Sequence, residues 1–180
     1  FLCVAVPAAL DGVGGLTDLV RAIGERPGAL NVAAGLGGPT MVLTALLRGR
    51  GLHAAYVPYR GPPEALVDLA AGRLHALVGP LAPVLPLVRE GRVRLVAITN
   101  PERAPAAPAV PTAREQGFPE LELEGTLGFF APAAMPDAVR KQVSAAVSVA
   151  AGDPVLVDRL GAVGVVARTE PLEDFVRRIE

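Results

Sequence analysis

Residues 29–47 read ALNVAAGLGGPTMVLTALL, a short β-branched run followed by a glycine-rich turn and an apolar stretch with helical spacing. Glycines between a strand and a helix let the backbone come close to an anion. The unpaired amides and partial positive charge of a helix N-terminus then attract that anion. The stretch therefore predicts a strand–turn–helix junction, and the rest of the chain has to indicate which anion is held and whether it reacts.

The glycine turn, GLGGPT at 35–40, lacks the marks of two nucleotide-binding motifs. It is not a P-loop, because no Gly-Lys-Ser/Thr follows it. It is not a dinucleotide fingerprint, because Thr40 holds the third glycine position and no Asp or Glu lies between residues 41 and 63. Phosphate recognition through these two motifs is excluded.

What remains is a helix N-terminus that favours a carboxylate. We expect Gly38 to be the helix cap, Pro39 to be the first helical residue, and the amides of Thr40 and Met41 to be free beside the Thr40 hydroxyl. The candidate ligand-binding residues of the turn are Leu36, Gly37, Gly38, Pro39, Thr40 and Met41. The alternative is a tight turn in which the glycines only relieve crowding.

A second candidate segment is YVPYRG at 56–61. It ends a predicted strand with Tyr59 and Arg60 and turns at Gly61 into the next helix. Open α/β sheets bind ligands at the carboxyl ends of their strands, so these residues are candidate ligand contacts. The alternative is an ordinary strand-to-helix loop with a solvated arginine.

Composition limits the class of protein. A chain of 180 residues with 51% hydrophobic residues suits one or two domains with an ordinary core. The formal net charge is −1 and the 17 basic residues are scattered, so we expect no nucleic-acid partner. No apolar stretch reaches the roughly 18 residues that span a bilayer, so we expect no membrane insertion. Since Phe1 is neither an initiator methionine nor the start of a signal peptide, we expect a segment upstream of it.

Catalytic groups are few. The only serines, Ser144 and Ser148, lie in a predicted helix, and Cys3 lies in a predicted buried strand without a local histidine. His53 and His75 are the only histidines, and neither has a second ligand at metal-binding spacing. The sequence predicts no catalytic residue, no metal site and no cofactor, which favours binding over reaction.

Strand-like and helix-like segments alternate, which indicates an α/β protein with parallel strands joined by crossover helices. The predicted strands are 2–6, 30–34, 53–58, 74–78, 93–98, 121–130 and 163–167. The predicted helices are 16–25, 39–49, 62–71, 81–90, 112–116, 136–150, 154–160 and 171–179. A proline-rich excursion over 100–119 separates two parts of the fold, and we place a domain boundary near residue 122.

Four stretches together resemble a known family. They are ERPGALNVAAGLGGPTMVL at 25–43, YVPYRGPPEALVDLAAGRLHALV at 56–78, VREGRVRLVAITNPERAPAAPAVPTAREQGFPELE at 88–122 and LGFFAPAAMPDAV at 127–139. In this order they resemble the substrate-binding proteins of tripartite tricarboxylate transporters, the Bug or TctC-like family of periplasmic solute receptors.

The resemblance implies a two-lobed clamshell of the type II periplasmic-binding-protein kind, with a parallel or mixed sheet flanked by helices. Such a receptor closes on a small mono- to tricarboxylic acid in the periplasm and delivers it to membrane permease subunits, without catalysis. By this resemblance, residues 1–6 are a crossing strand, 7–121 form lobe two, and 122–180 return to lobe one. Most of lobe one is expected to lie outside this chain. The apolar faces that it would cover predict self-association or docking of the C-terminal segment on lobe two.

The chain departs from the family pattern at four positions. Gly38 occupies the position of a serine in the family pattern, and Met41 the position of a histidine. His75 stands where the family tends to have Asp, and Thr126 stands where Trp is usual. We keep His75 as a candidate contact by its match to that Asp, but each change removes a polar or aromatic contact group. The identity of the acid stays open, and altered or lost specificity is an alternative.

Two functions rival transport. One is a ligand-sensing or interaction module of the same fold that signals to a partner protein. The other is a Rossmann-like nucleotide-binding enzyme. An acidic residue at the end of the second strand would favour it, and this sequence has none there.

Overall fold

The computed structural model describes residues 1–125, 128–162, 164–167 and 169–179. It divides into two compact units, Phe1–Gly125 and Thr126–Glu180. No helix in these described ranges combines the length and the hydropathy needed to cross a bilayer.

The first unit alternates strands and helices along most of its length. Its elements are β1 (Leu2–Pro7), α1 (Leu16–Glu25), β2 (Asn31–Ala34), α2 (Gly38–Gly49), β3 (Ala55–Tyr56), α3 (Pro62–Ala70), β4 (Ala76–Pro80), α4 (Leu85–Arg89), β5 (Val93–Ile98) and a final 3-10 turn (Pro119–Leu121). Prolines occupy the first turns of α2, α3 and α4, where a missing N–H costs no helical hydrogen bond.

The strands form one mixed sheet in the order β3-β2-β4-β1-β5. β2 pairs parallel with β3 and with β4, as the alternation of elements predicts. β1 is antiparallel to both β4 and β5, so the sheet is mixed, which is one of the two forms that the family resemblance implies. The direction of β1 is set by partners that lie far away in sequence, which no local pattern reveals.

The sheet is covered by helices on both faces. Every residue of β1 is buried, and its side chains alternate between two core clusters, with Val4 and Val6 in one and Cys3 and Ala5 in the other. The first cluster holds apolar residues of α1 and α2, and the second holds those of α3 and α4. A strand covered on both faces needs a continuous apolar run, which is what the sequence of β1 supplies.

Prolines and a short turn shorten two predicted helices. The predicted helix 81–90 is confined to Leu85–Arg89, because Pro83 and Pro86 lack the N–H groups that would extend it. The predicted helix 112–116 is a single turn. There the Thr112 amide donates to the Glu115 carboxylate and the Glu115 amide donates to the Thr112 hydroxyl. Gly117, with φ of 82°, then ends the turn.

Two predicted strands are absent from the described residues. Over 121–125 and 128–130 the chain is irregular beyond the 3-10 turn, while Thr126 and Leu127 lie outside the described residues. Residues 164–167 hold no strand either, and Val163 lies outside the described residues. Leu123 pairs with Thr99 but continues into no ladder, so local alternation of apolar residues here does not become a strand.

The second unit contains three helices within the described residues, α5 (Asp137–Ala151), α6 (Pro154–Ala162) and α7 (Leu172–Ile179). No residue of α5 or α6 is buried, although Val139 and Val143 lie one turn apart on the same face of α5. In the same unit the rings of Phe130 and Phe175 lie 5.9 Å apart between centroids.

Candidate functional site

The candidate site lies at one edge of the first unit's sheet. Since β2, β3 and β4 are parallel, their carboxyl ends share that edge, and the segments 35–38 and 57–61 leave the sheet there. The neighbouring strands β2 and β4 are followed by helices that pack into opposite core clusters. Adjacent strands of this kind open a crevice at their carboxyl ends, where open α/β sheets bind ligands.

The glycine turn lies at this edge of the sheet and leads directly into α2. Gly35 continues the pairing of β2, because its amide donates to the carbonyl of Val78 at 2.9 Å. Gly37 caps the helix with φ 78° and ψ −127°, a backbone conformation that side chains disfavour. α2 begins at Gly38, so the expected cap at Gly38 and first position at Pro39 are each one residue too late. The helix starts earlier because only Gly37 adopts the left-handed turn that reverses the chain.

The cap and the first turn of α2 leave three backbone amides available to a ligand. Within residues 1–125, the N–H groups of Gly37, Gly38 and Thr40 donate to no protein acceptor. The amide of Met41 was also expected to be free, which is wrong: it donates to the carbonyl of Gly37 at 3.2 Å as the first helical hydrogen bond. Because the helix starts one residue earlier, the Met41 amide is used in a helical hydrogen bond. The amides of the cap and first turn remain without an acceptor in the helix.

The Thr40 side chain holds the turn closed. Its hydroxyl donates to the carbonyl of Gly35 at 2.8 Å, and the hydroxyl of Tyr56, the last residue of β3, lies 3.4 Å from the same oxygen. The Thr40 oxygen is therefore ordered by protein contacts. Tyr56, which the sequence reasoning passed over, is the tyrosine that adjoins the turn.

Tyr59 has a different neighbour. Its ring packs on the second core cluster, and its hydroxyl donates to the Asp68 carboxylate on α3 at 2.8 Å. Burial, followed by this hydrogen bond, raises the pKa of Tyr59 to about 12. The bond from Tyr59, with that from Arg73, lowers the pKa of Asp68. The Tyr59 hydroxyl therefore binds a residue of α3 and not the glycine turn.

Arg60 and Gly61 follow Tyr59 at the same edge of the sheet. Arg60 is exposed, and its guanidinium makes no ion pair or hydrogen bond with the part of the chain that the structure describes. Gly61 caps α3 with an extended backbone at φ −170°. The segment that follows β3 therefore offers one unpaired cation at this edge of the sheet.

His75 lies at the other edge of the sheet. It precedes β4, and its Nδ1 accepts a hydrogen bond of 2.9 Å from the amide of Asn31, the first residue of β2. The length of β2, about 13 Å for four residues, separates this edge from the glycine turn. The prediction that His75 contacts a ligand at the turn is therefore wrong. The residue precedes β4, which places it at the amino ends of the strands.

Apolar side chains surround the free amides. Leu36 is 84% exposed and Met41 71% exposed. Leu123 packs on Gly38 so closely that a Cβ built there would lie 2.8 Å from its Cδ2. Sequence reasoning missed Leu123, since it is distant along the chain and no motif connects it to the turn. Thr126, the remaining departure from the family pattern, lies outside the described residues.

Chemically, the turn can bind an anion but offers no reactive group. Its neighbourhood presents amide donors, the Thr40 and Tyr56 hydroxyls and Arg60. In the described ranges no three His, Cys, Asp or Glu side chains are grouped so as to hold a metal ion. Cys3 is buried, and burial raises the pKa of its thiol to about 12. A buried neutral thiol is a poor nucleophile.

Comparison with known proteins gives a consistent result. The family model described as the tripartite tricarboxylate transporter family receptor matches residues 2–177. A protein encoded in the tcbD-tcbE intergenic region of Pseudomonas sp. strain P51 is 35% identical over 153 residues, which are 83% of this chain and 46% of that protein. The chain thus spans about half the length of this curated relative.

Solved structures share the fold. A structure described as a periplasmic transporter has a TM-score of 0.89 and 25% identity, over 99% of this chain and 60% of that one. MatC of Rhodopseudomonas palustris, solved with bound malate, has a TM-score of 0.85 and 27% identity, over 98% of this chain and 63% of that one. The mixed sheet flanked by helices is therefore the fold of these periplasmic binding proteins, and the chain belongs to the tripartite tricarboxylate transporter receptor family.

Proposed function

We propose that this chain forms one side of the carboxylate site of a periplasmic solute receptor that serves a tripartite tricarboxylate-type permease. The observation that carries the proposal is the first turn of α2, where the amides of Gly37, Gly38 and Thr40 have no protein acceptor among the described residues. They lie at the sheet edge where ligands of open α/β sheets bind. Membership of the receptor family supports the same role.

A carboxylate is the anion that fits these donors. It accepts hydrogen bonds at two oxygens, and each bond from a backbone N–H to a charged acceptor contributes roughly 1.5–3 kcal/mol when the site is desolvated. The partial positive charge at the N-terminus of α2 adds to this attraction. The first unit contains no lysine, because the only lysine of the chain is Lys141 in the second unit. A polyphosphate would therefore lack the cation that phosphate loops provide.

The turn holds its ligand without reacting with it. Thr40 is the nearest hydroxyl, and it donates to the carbonyl of Gly35 with no general base beside it. An unactivated hydroxyl is a weak nucleophile. The same geometry would serve a sensing module, so coupling to a permease rests on the family and not on the site.

Calorimetric titration of the complete gene product tests this function. The panel consists of acetate, malate, adipate and citrate, with NAD and ATP as the nucleotide comparison. We expect at least one acid to bind more tightly than either nucleotide by tenfold or more. Tighter binding of NAD or ATP than of every acid would refute the receptor and support the Rossmann-like enzyme.

A further inference from the structure

Exposed apolar side chains of the first unit concentrate at the glycine turn. The large apolar residues exposed in residues 1–125 are Leu36 at 84%, Met41 at 71%, Val67 at 61% and Tyr56 at 44%. All but Val67 flank the free amides. Water-exposed apolar groups placed together are unfavourable unless something covers them, and such patches mark binding surfaces.

Leu123 adds a fixed apolar contact to this patch. Its amide donates to the carbonyl of Thr99 at 2.8 Å, and its carbonyl accepts from the Thr99 hydroxyl at 3.0 Å. These two bonds hold its backbone beyond the end of β5. Its side chain then lies against Gly38, where a built Cβ would be 2.8 Å from Cδ2. The surface beside the Gly38 amide is therefore hydrocarbon.

Polar side chains are scarce within the turn itself. Between residues 35 and 41 only Thr40 carries one, and its hydroxyl already donates to Gly35. A ligand carboxylate can bind the free amides, but a second carboxylate directly over Leu36 or Met41 would lose its hydration without gaining a side-chain donor from residues 35–41. Burial of an unpaired charge costs several kcal/mol per ion in real proteins.

Resting on the carboxylate-receptor function proposed above, we propose that the ligand is a monocarboxylate with an apolar body, and that Leu36, Met41 and Leu123 determine this specificity. The carboxylate binds the amides at the start of α2, and the hydrocarbon body covers Leu36 and Met41. Each buried methylene raises affinity about fourfold at 25 cal/mol per Å². Chain length should therefore matter more than the number of carboxylates.

Three acids with matched structures separate these effects. Acetate, hexanoate and adipate are titrated into the ¹⁵N-labelled complete gene product, and the dissociation constants are taken from the amide shifts of Gly37, Gly38 and Thr40. Hexanoate differs from acetate only in its chain, and adipate differs from hexanoate only by a second carboxylate in place of the methyl group. We expect hexanoate to bind at least tenfold more tightly than acetate, and adipate to bind no more tightly than acetate.

Variants assign the effect to the patch. In the double variant Leu36→Ser/Met41→Gln, the affinity ratio of hexanoate to acetate should fall to within about threefold of unity, because the hydrocarbon no longer has an apolar surface to cover. Val67→Ser is the matched control, since Val67 is similarly exposed but lies on α3. It should leave the ratio unchanged.

The outcomes distinguish this inference from the function on which it rests. If no acid shifts the amides of the turn, the receptor function fails and the inference fails with it. If acetate and hexanoate bind equally, or if adipate binds more tightly than hexanoate, the carboxylate site stands and the apolar-body specificity is wrong. The second result would indicate that Arg60 pairs with the distal carboxylate.

Discussion

Gly37 is the residue on which the carboxylate site depends most directly. Its φ of 78° and ψ of −127° reverse the chain between β2 and α2, and an L side chain in such a region costs of order 1–3 kcal/mol. We expect Gly37→Ala to lower the free energy of unfolding by that amount and to weaken acetate binding at least tenfold. Urea denaturation and an amide-shift titration measure the two effects.

Gly49 supplies the control for this substitution. It is the last residue of α2 and a Cβ there would meet no atom within 4 Å. Gly49→Ala should therefore be neutral or should stabilise the chain by about 0.5–1 kcal/mol, with binding unchanged. Equal losses of stability in the two variants would contradict a special backbone conformation at Gly37.

Tyr59 is expected to stabilise the fold without contacting ligand. Tyr59→Phe removes its hydrogen bond to Asp68 and should lower the free energy of unfolding by about 0.5–1.5 kcal/mol. The affinity for hexanoate should change less than twofold. A tenfold loss of affinity with unchanged stability would restore Tyr59 as a ligand contact.

The buried thiol of Cys3 should make the chain less stable at alkaline pH. Burial raises the pKa of its thiol from 9.0 to about 12, so the stability it contributes is fully present below pH 9 and is lost as pH rises toward 12. Between pH 8 and pH 10 the chain should lose about 1 kcal/mol that Cys3→Ala does not lose. Urea denaturation at both pH values measures this difference, and parallel slopes in the two proteins would contradict a buried neutral thiol.

Among the elements, those with local signals were predictable. The predicted helix 16–25 and the predicted strand 93–98 agree with α1 and β5. An amphipathic period defines the helix and a β-branched apolar run defines the strand, and both are local signals. The start of α2 differed by one residue, since the left-handed conformation of Gly37 is not visible in a run of glycines. Because of this one-residue difference, the amide of Met41 donates within the helix and the amide of Thr40 does not.

The rest of the site depended on contacts that sequence patterns do not encode. YVPYRG contains two tyrosines, and the pleat and register of β3 place Tyr56 beside Thr40 while Tyr59 reaches Asp68. His75 was placed by its match to a family position, but its strand leaves it at the opposite edge of the sheet. Leu123 contacts Gly38, and its backbone is held by two hydrogen bonds to Thr99.

His75 should stabilise the pairing of β2 with β4. His75→Ala leaves the Asn31 amide without its side-chain acceptor, and we expect a loss of about 1 kcal/mol in the free energy of unfolding. Affinity for hexanoate should be unchanged, because the residue lies at the amino ends of the strands. A selective loss of binding, with urea denaturation unaltered, would contradict this placement.

At the scale of the whole molecule, the second unit leaves apolar helical surface exposed. Val139 and Val143 on α5 are 42% and 45% exposed, and no side chain of α5 is buried. Covering such surface yields about 25 cal/mol per Å², so we expect the chain to self-associate. Light scattering should show a mass that rises with protein concentration.

Charge on that helix face should suppress the association. The variant Val139→Asp/Val143→Asp should be monomeric at concentrations where the unaltered chain is not, and Val67→Asp on α3 serves as the control. A strict monomer for the unaltered chain would show that this face needs no cover.

The topology of the sheet was the least predictable feature at this scale. Apolar residues on both faces of β1 indicate a central strand, but its antiparallel direction follows from its pairing with β4 and β5. The four remaining strands share one direction, and that arrangement places the glycine turn and residues 57–61 at a common edge. The carboxylate site is therefore a product of the fold as well as of its glycines.

Amide chemical shifts during a titration with acetate report directly whether the start of α2 binds a carboxylate. We expect the largest shifts at Gly37, Gly38 and Thr40, and smaller shifts at Met41, whose amide donates to the carbonyl of Gly37. We expect none at Asn31 or His75 on the opposite edge. Shifts confined to that opposite edge, or no shift at the turn at saturating acetate, would contradict a carboxylate site at the start of α2.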